Sequence, residues 1–232
     1  EACEYKTSFL NLNPQVMIIA NIDNDHLDYY KDIKDIQSAF QQLVAKIPKN
    51  GFLICNPKGK NMRPVVKSAK CQVIDYEKIK GKIKLKLAGA HNQSNAKAAL
   101  AVAEALGLKT EIATKALAQF AGTWRRFEFK GKTKTGAVVY DDYAHHPTEI
   151  KATLVGAREL FGAEKKIIAV FQPHLFSRTK LLLNDFARSF GEADVVIVTD
   201  IYAAREKDEG TIHSQDLANL LRQKKKETYA HI

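Results

Sequence analysis

Four short polar clusters in this sequence combine residue types that can bind metal ions, nucleotides or phosphate groups. The first covers residues 21–28 and carries several carboxylates together with His26, directly after an apolar run. Carboxylate oxygens are ligands that a hard cation such as Mg²⁺ accepts, whereas the glycine that a calcium-binding loop requires is missing. The cluster therefore predicts either a magnesium-binding loop or a polar turn that caps the following helix.

The second cluster, residues 89–95, opens a predicted helix. Asn92 and Asn95 are three positions apart, so their amides project from the same end of that helix. A side-chain amide offers a paired donor and acceptor, which recognition of a base edge requires. Ordinary helix capping by Asn92 is the alternative interpretation.

The third cluster joins two arginines at 125–126 to the loop at residues 141–149. An arginine such as Arg126 can bind phosphate through two parallel hydrogen bonds, and an aspartate such as Asp142 at a strand end can hold ribose hydroxyls. The loop also contains His145 and His146. Adjacent loop histidines rarely bind the same ion, which disfavours a zinc site.

The fourth cluster, residues 171–178, places His174 and Arg178 four positions apart at the start of a predicted helix. Together with the helix dipole, these side chains could bind a carboxylate or a phosphate. The alternative interpretation, which the sequence leaves equally open, is a helix start with ordinary surface charges.

The elements that must position these clusters alternate between short apolar runs and amphipathic segments. We predict strands at residues 16–20, 52–55, 137–140, 166–171 and 195–199, and helices at residues 33–47, 92–106, 111–120, 147–161, 176–190 and 214–221. Pro147 is expected in the first helical turn, where a missing N–H is tolerated. Such alternation is typical of parallel sheets covered by helices.

The predicted fold class is therefore α/β, in two domains. Several glycines and charges between residues 121 and 136 predict a boundary near Trp124, giving domains 1–124 and 125–232. The second domain is predicted to be a doubly wound, Rossmann-like sheet, in which ligands bind beyond the carboxyl ends of the strands. Polar residues at 141–142, 174–178 and 200–205 follow three predicted strands, which predicts a site at that edge.

Composition narrows the class of partner. Lysine and arginine total 36 against 26 acidic residues, a net charge of +10, which favours anionic partners. The charges are scattered and lack the aromatic interleaving of single-strand binders, so a nucleic-acid-binding function is disfavoured. No apolar run of about 18 residues is present, which disfavours a membrane span. The three cysteines lack zinc or redox spacing, as expected in a reducing cytoplasm.

In order and spacing the clusters resemble the Mur ligases, and within that family the alanine-adding branch. The motifs that carry this resemblance are E-A-C-E-Y at 1–5, N-I-D-x-D-H-L-D at 21–28, G-x-H-N-x-x-N-A at 89–96, R-R-F-E at 125–128, D-D-Y-A-H-H-P-T-E at 141–149 and F-Q-P-H at 171–174. The paired aspartates with the double histidine, and F-Q-P-H, distinguish the alanine-adding branch. The resemblance extends over essentially the whole chain.

The resemblance implies an ATP-dependent amide ligase with ATP and Mg²⁺ as cofactors and UDP-N-acetylmuramate and L-alanine as substrates. It further implies a partial central ATP-binding domain followed by a C-terminal domain, in a cytoplasmic monomer or weak homodimer without nucleic-acid or membrane partners. The family's phosphate loop is absent from this sequence, and Cys3 and Tyr5 stand where many relatives have Asp and Ser. We therefore expect the chain alone to be inactive.

The resemblance also implies a role for individual residues. It assigns the metal to Glu1 and His26, the nucleotide to Asn92, Asn95, Arg126 and Asp142, and the substrates to Tyr143, His145, His174 and Arg178. The candidate catalytic residues are His26, Arg126, His174 and Arg178. Two alternatives stay open: a recycling ligase that adds a preformed peptide to the same nucleotide sugar, and a truncated nucleotide-binding module without catalysis.

Overall fold

Two compact units make up the chain, and each contains its own parallel sheet. The computed structural model describes residues 2–224 and 226–230. Unit 1 comprises Glu1–Lys86 and His91–Phe120, and unit 2 comprises Leu87–Ala90 and Ala121–Ile232. The predicted α/β class with parallel sheets is confirmed. Within the described residues, no helix is both long enough and apolar enough to cross a membrane.

Unit 1 is built on a three-stranded parallel sheet in the order β1-β2-β3. Its elements are β1 (Val16–Ile19), α1 (Ile33–Val44), β2 (Phe52–Cys55), α2 (Met62–Val66), β3 (Gln72–Asp75), α3 (Ala90–Ala105) and α4 (Thr110–Gln119). Leu53, Ile54 and Cys55 of the central strand are fully buried, as expected where a parallel sheet is covered on both faces. A 3₁₀ helix at Tyr5–Asn11 precedes β1, and another at Tyr76–Lys78 follows β3.

Helix α1 shows how the sequence specifies an element of this unit. The Asp32 side chain accepts hydrogen bonds from the backbone N–H groups of Lys34 (2.8 Å) and Asp35 (3.0 Å), which caps the helix start. Phe40 and Leu43 on its apolar face are buried, as the helical spacing predicts. The helix ends at Val44, three residues earlier than predicted.

Unit 2 contains a parallel sheet and a separate antiparallel hairpin. Its elements are β4 (Glu128–Lys132), β5 (Val138–Asp141), α5 (Pro147–Phe161), β6 (Ile168–Phe171), α6 (Phe176–Leu181), α7 (Leu183–Ser189), β7 (Val195–Val198), α8 (Ser214–Gln223) and β8 (Glu227–Ala230). Strands β6, β7 and β8 are parallel. Helix α8 packs on β7 and β8, and α7 packs against α5 and α8.

Two element predictions in unit 2 are wrong. The predicted strand at 137–140 does not pair with the parallel sheet: β5 pairs antiparallel with β4, with an irregularity between Phe129 and Gly131. The single helix predicted at 176–190 is two helices that meet at Leu182, whose backbone is not helical. The break leaves Leu181 exposed while Leu182 and Phe186 are buried, so it rotates the apolar face toward the core.

A groove of about 490 Å³ lies between the edges of β5 and β6. Its lining is mainly apolar and includes Tyr140, Phe161 and Val170, with Asp141 and Asp142 among the few polar members. Val170 of β6 is 67% exposed. The groove therefore lies where the sequence analysis predicted that β5 and β6 belong to one continuous sheet.

Burial separates the reactivities of two free thiols. Cys3 is exposed, whereas Cys55 is buried, and burial raises the pKa of the Cys55 thiol to about 12. Because the thiolate is the reactive form, we expect an alkylating reagent at mildly alkaline pH to modify Cys3 quickly and Cys55 only on unfolding. Peptide mass spectrometry over a time course would check this, and equal rates in the native protein would contradict the assigned burial.

Candidate active site

A row of rings follows the ends of three strands in unit 2. The ring centroids of Tyr143 and His145 are 5.1 Å apart, those of His145 and His174 are 5.9 Å apart, and those of His174 and Tyr202 are 5.6 Å apart. These residues follow β5, β6 and β7 respectively. The structure thus brings together residues of the third and fourth predicted clusters. It adds Tyr202 from the polar run at 200–205, a residue that had no individual prediction.

Two guanidinium groups stand over the first ring of the row. Arg125 and Arg126 lie 5.1 Å and 5.5 Å from the Tyr143 ring centroid. The Nε of Arg125 is 3.1 Å from an Asp141 carboxylate oxygen, which holds that side chain. Arg126 is exposed, so its charge is accessible to an anion at the end of the row.

The turn that carries these arginines is held by hydrogen bonds to carboxylates. Arg125 and Phe127 have φ values of 54° and 48°, a region that costs energy for residues other than glycine. Glu128 accepts a hydrogen bond from the Arg125 N–H at 2.9 Å, and Asp142 accepts one from the Phe127 N–H at 2.7 Å. These bonds stabilise the turn that presents Arg126.

Asp142 connects this turn to the loop after β5. Besides the Phe127 N–H, it accepts hydrogen bonds from the Ala144 N–H at 2.8 Å and the Thr153 hydroxyl at 3.2 Å. Both carboxylate oxygens therefore have protein donors. Since a carboxylate offers about four acceptor positions, capacity remains for a ribose hydroxyl, and that role stays a prediction.

The adjacent histidines have separate partners. His146 is buried and caps α5, where its Nδ1 accepts from the Thr148 N–H at 3.3 Å and its own N–H donates to Glu149 at 3.1 Å. Pro147 is the first residue of α5, as predicted. The Nδ1 of His145 is instead 2.9 Å from the Tyr143 carbonyl oxygen. His145 belongs to the ring row and His146 to the helix cap.

At the start of α6, His174 and Arg178 are in direct contact. The Nη1 of Arg178 is 3.1 Å from the Nδ1 of His174, and Arg178 is only 8% exposed. Burial lowers the pKa of His174, and the neighbouring charges of Arg178, His145 and Arg205 lower it further. Both side chains therefore lie at the start of α6, and their binding of a carboxylate or phosphate stays a prediction.

In unit 1, His26 lies in the loop after β1. Its Nε2 is 3.8 Å from an Asp25 oxygen and 4.0 Å from a Glu4 oxygen, and the Tyr5 ring centroid is 5.3 Å from that of His26. Glu1, the other predicted metal ligand, lies outside the described residues. Among the described residues, no group of three or more His, Cys, Asp or Glu side chains is arranged to hold a metal ion.

Asn92 and Asn95 lie in the first turns of α3, which begins at Ala90. The intervening Gln93 exchanges two hydrogen bonds of 2.9 Å with the backbone of Ile83. Ser94 donates to Glu77 at 2.9 Å. These contacts fix the start of the helix, while the Asn95 side chain is exposed and accessible to a ligand.

Comparison with known proteins identifies the family. Residues 2–82 match the Mur ligase middle domain, and residues 125–232 match the domain described as "Mur ligase, glutamate ligase domain". The chain belongs to the Mur ligase family. Its α/β units and the clusters that resembled that family are therefore those of a Mur ligase.

Two curated relatives of this Mur ligase chain carry the same name. It is 43% identical to the UDP-N-acetylmuramate–L-alanine ligase of Caldanaerobacter subterraneus and 45% identical to that of Alkaliphilus metalliredigens, with 95% of the chain and 54% of each relative covered. A solved UDP-N-acetylmuramate–alanine ligase from Thermotoga maritima is 26% identical with a TM-score of 0.71, over 97% of the chain and 53% of that protein. The chain thus spans about half the length of the relatives it matches.

Proposed function

We propose that this Mur ligase chain is the part of an ATP-dependent ligase that joins L-alanine to UDP-N-acetylmuramate in the synthesis of peptidoglycan precursors. The observation that carries the proposal is the row in unit 2 from Arg126 through Tyr143, His145 and His174 to Arg178. It combines two guanidinium groups with imidazole groups, as binding of carboxylate and phosphate oxygens requires. The relatives of that name, at 43% and 45% identity, support it.

The proposed reaction proceeds through an acyl phosphate. The lactyl carboxylate of UDP-N-acetylmuramate attacks the γ-phosphorus of ATP, and ADP leaves. The amine of alanine, having lost a proton, then attacks the acyl carbon, and inorganic phosphate leaves as the amide bond forms. No protein nucleophile is needed, so the residues contribute by orienting the reactants and by stabilising charge on oxygen.

We assign a binding role in this reaction to each candidate residue. Arg126 is proposed to bind a phosphate or an acyl-phosphate oxygen, and Arg178 and His174 to bind a carboxylate or carbonyl oxygen. Asp142, Asn92 and Asn95 are proposed to bind the nucleotide, with Asp142 on the ribose. Tyr143 and His145 line the substrate side of the same row. The net charge of +10 favours the approach of two anionic substrates.

Magnesium is proposed to bind through His26 and Glu1. A Mg²⁺ bound there would neutralise charge on phosphate oxygens. We expect His26→Ala to raise the magnesium concentration that half-saturates the ligase, whereas Lys34→Ala on the exposed face of α1 leaves it unchanged. A magnesium titration checks this, and identical titrations for both variants would contradict the assignment.

A test of the function requires the part of the relatives that this chain does not cover. We define the completed ligase as this chain joined to the uncovered part of the Caldanaerobacter relative. Given ATP, Mg²⁺ and UDP-N-acetylmuramate, it should form the alanyl product from L-alanine but not the peptidyl product from an alanine-initiated tripeptide, as resolved by mass spectrometry. Preference for the tripeptide would favour the recycling ligase, and ATP binding without either product would favour a nucleotide-binding module.

We further propose that the protein acts in the cytoplasm, as a monomer or weak homodimer and without nucleic-acid or membrane partners. The three cysteines are free thiols, which suits a reducing compartment. ATP and UDP-linked precursors are also found there. Cell fractionation would check the compartment and the absence of membrane attachment, and light scattering would check the oligomeric state.

A further inference from the structure

The contact between Arg178 and His174 determines where the imidazole carries its proton. The Nη1 of Arg178 is 3.1 Å from the Nδ1 of His174. A guanidinium group stays protonated in proteins and has only donors, so this hydrogen bond needs an unprotonated, accepting Nδ1. A neutral imidazole whose Nδ1 accepts carries its single proton on Nε2.

The surroundings of His174 favour the neutral ring. Burial is the largest cause that lowers its pKa, followed by the charges of Arg178, His145 and Arg205, while Glu206 acts in the opposite direction. A doubly protonated ring would direct an Nδ1–H at the Arg178 guanidinium. Burial and local charge therefore both oppose a second proton on this ring at neutral pH.

We infer that Arg178 holds His174 as the neutral Nε2–H form, so that His174 donates a hydrogen bond to a substrate oxygen and is not the base that deprotonates the attacking amine. The donor role rests on the proposed function, whereas the protonation state of the ring does not. With Nδ1 accepting from Arg178 and Nε2 already protonated, the neutral ring has no free lone pair for the ammonium proton of alanine. That proton must leave to solvent or to another group, and the Nε2–H remains as a donor that a substrate oxygen can accept from.

Glu206 is the positioning residue of this arrangement. Its carboxylate accepts hydrogen bonds from the Ser177 N–H at 3.0 Å and from the Ser177 hydroxyl. Ser177 directly precedes Arg178, so these bonds fix the first turn of α6. The segment is also held by Tyr202, whose carbonyl accepts from the N–H of Leu175 at 2.9 Å.

The backbone between His174 and Arg178 is strained at Leu175, which indicates that surrounding contacts impose its conformation. Leu175 has a φ of 70° and is 2% exposed. A leucine in that region is strained and persists only where neighbouring contacts enforce it. The segment therefore resists the rotation that would separate His174 from Arg178.

Nitrogen NMR of this chain labelled with ¹⁵N-histidine tests the protonation state directly. The His174 signals are assigned by their loss in His174→Gln. Near neutral pH, we expect Nε2 to be protonated and Nδ1 unprotonated. A proton on Nδ1, or on both nitrogens, would overturn the inference whether or not the chain is a ligase.

Charge-changing variants test the assigned causes. Arg178→Met should raise the pKa of His174 and populate the Nδ1–H form, because it removes both the donor and a positive charge. Glu206→Gln should lower that pKa, and the exposed Lys207→Met serves as a matched control without effect. An unchanged ring in Arg178→Met would overturn the role of Arg178, and an unchanged pKa in Glu206→Gln would overturn the opposing charge effect assigned to Glu206.

Kinetic measurements on the completed ligase then show whether His174 acts as a hydrogen-bond donor or as a base. Because glutamine keeps an N–H donor, His174→Gln should retain kcat/KM within about 10-fold, with the pH profile unchanged, whereas His174→Ala should lose about 10- to 100-fold. If both variants lose activity equally and the acidic limb of the pH profile disappears, His174 acts as a base. Complete inactivity of the unmutated completed ligase would instead count against the proposed function and would leave the NMR result decisive for the ring.

Discussion

Replacing Arg126 with methionine should lower kcat/KM of the completed ligase by about 10- to 150-fold. This is the range expected when a charged protein group that donates a hydrogen bond to an anionic substrate is removed. Arg126 is exposed and its guanidinium group lies over the Tyr143 ring, so methionine keeps much of the packing while the charge is lost. The free energy of unfolding should change little. Steady-state kinetics with varied UDP-N-acetylmuramate and ATP would measure the effect.

The control for Arg126→Met is Lys134→Met. Lys134 is exposed in the loop between β4 and β5, so the variant removes the same net charge from the same unit without removing a member of the row. We expect its kcat/KM to remain near that of the parent. Equal losses in the two variants would mean that Arg126 contributes only through net charge and would contradict its assignment as a binding residue.

Replacing Asp142 with asparagine should lower the free energy of unfolding of this chain by about 1–3 kcal/mol, the cost of leaving a hydrogen-bonding group unsatisfied. The carboxylate accepts from the N–H groups of Phe127 and Ala144 and from the Thr153 hydroxyl. Asparagine keeps one acceptor oxygen, so its NH₂ group must face at least one of these donors. Urea unfolding monitored by circular dichroism would measure the change.

The same variant tests the proposed nucleotide contact. In the completed ligase, Asp142→Asn should also weaken ATP binding, because the ribose contact is lost and the turn that carries Arg126 is loosened. Glu159→Gln on the exposed face of α5 is the matched control and should change neither quantity. Unchanged ATP affinity in Asp142→Asn would leave the aspartate as a residue that only stabilises the turn.

Most of the fold could be predicted because apolar spacing marks the buried elements. Strand β2 coincides with the predicted residues 52–55, and α5 with residues 147–161, because an apolar run and a well-capped helix are local signals. Two of the missed elements, β4 and α2, lack such signals. Strand β4 contains mainly charged residues and a glycine, and α2 is five residues long and contains Pro64.

The pairing of β5 with β4 could not be predicted, because strand partners depend on non-local contacts. An apolar strand that ends in aspartates has the same local pattern in a parallel sheet and in a hairpin. The irregularity at Gly131 is a backbone feature that only the paired strands reveal.

Residues of the candidate site could be predicted where a polar cluster follows a strand. Residues that join the site through backbone contacts distant in sequence could not. His174 and Arg178 stand out through their spacing of four, and the ring row follows from the ends of β5 and β6. Glu206 and Tyr202 did not stand out, because their contacts with Ser177 and Leu175 span more than 20 residues of sequence. The polar run at 200–205 was the only available signal for Tyr202, and Glu206 directly follows that run.

Phosphate release by the completed ligase, with ATP, Mg²⁺ and UDP-N-acetylmuramate, tests the central claim most directly when it is measured with and without L-alanine. We expect release to depend on L-alanine, since the acyl phosphate is consumed by the amine. Arg126→Met should reduce this release, whereas Lys134→Met should not. Release that is indifferent to L-alanine, or that begins only when a tripeptide is added, would contradict the assignment of this chain to an alanine-adding ligase.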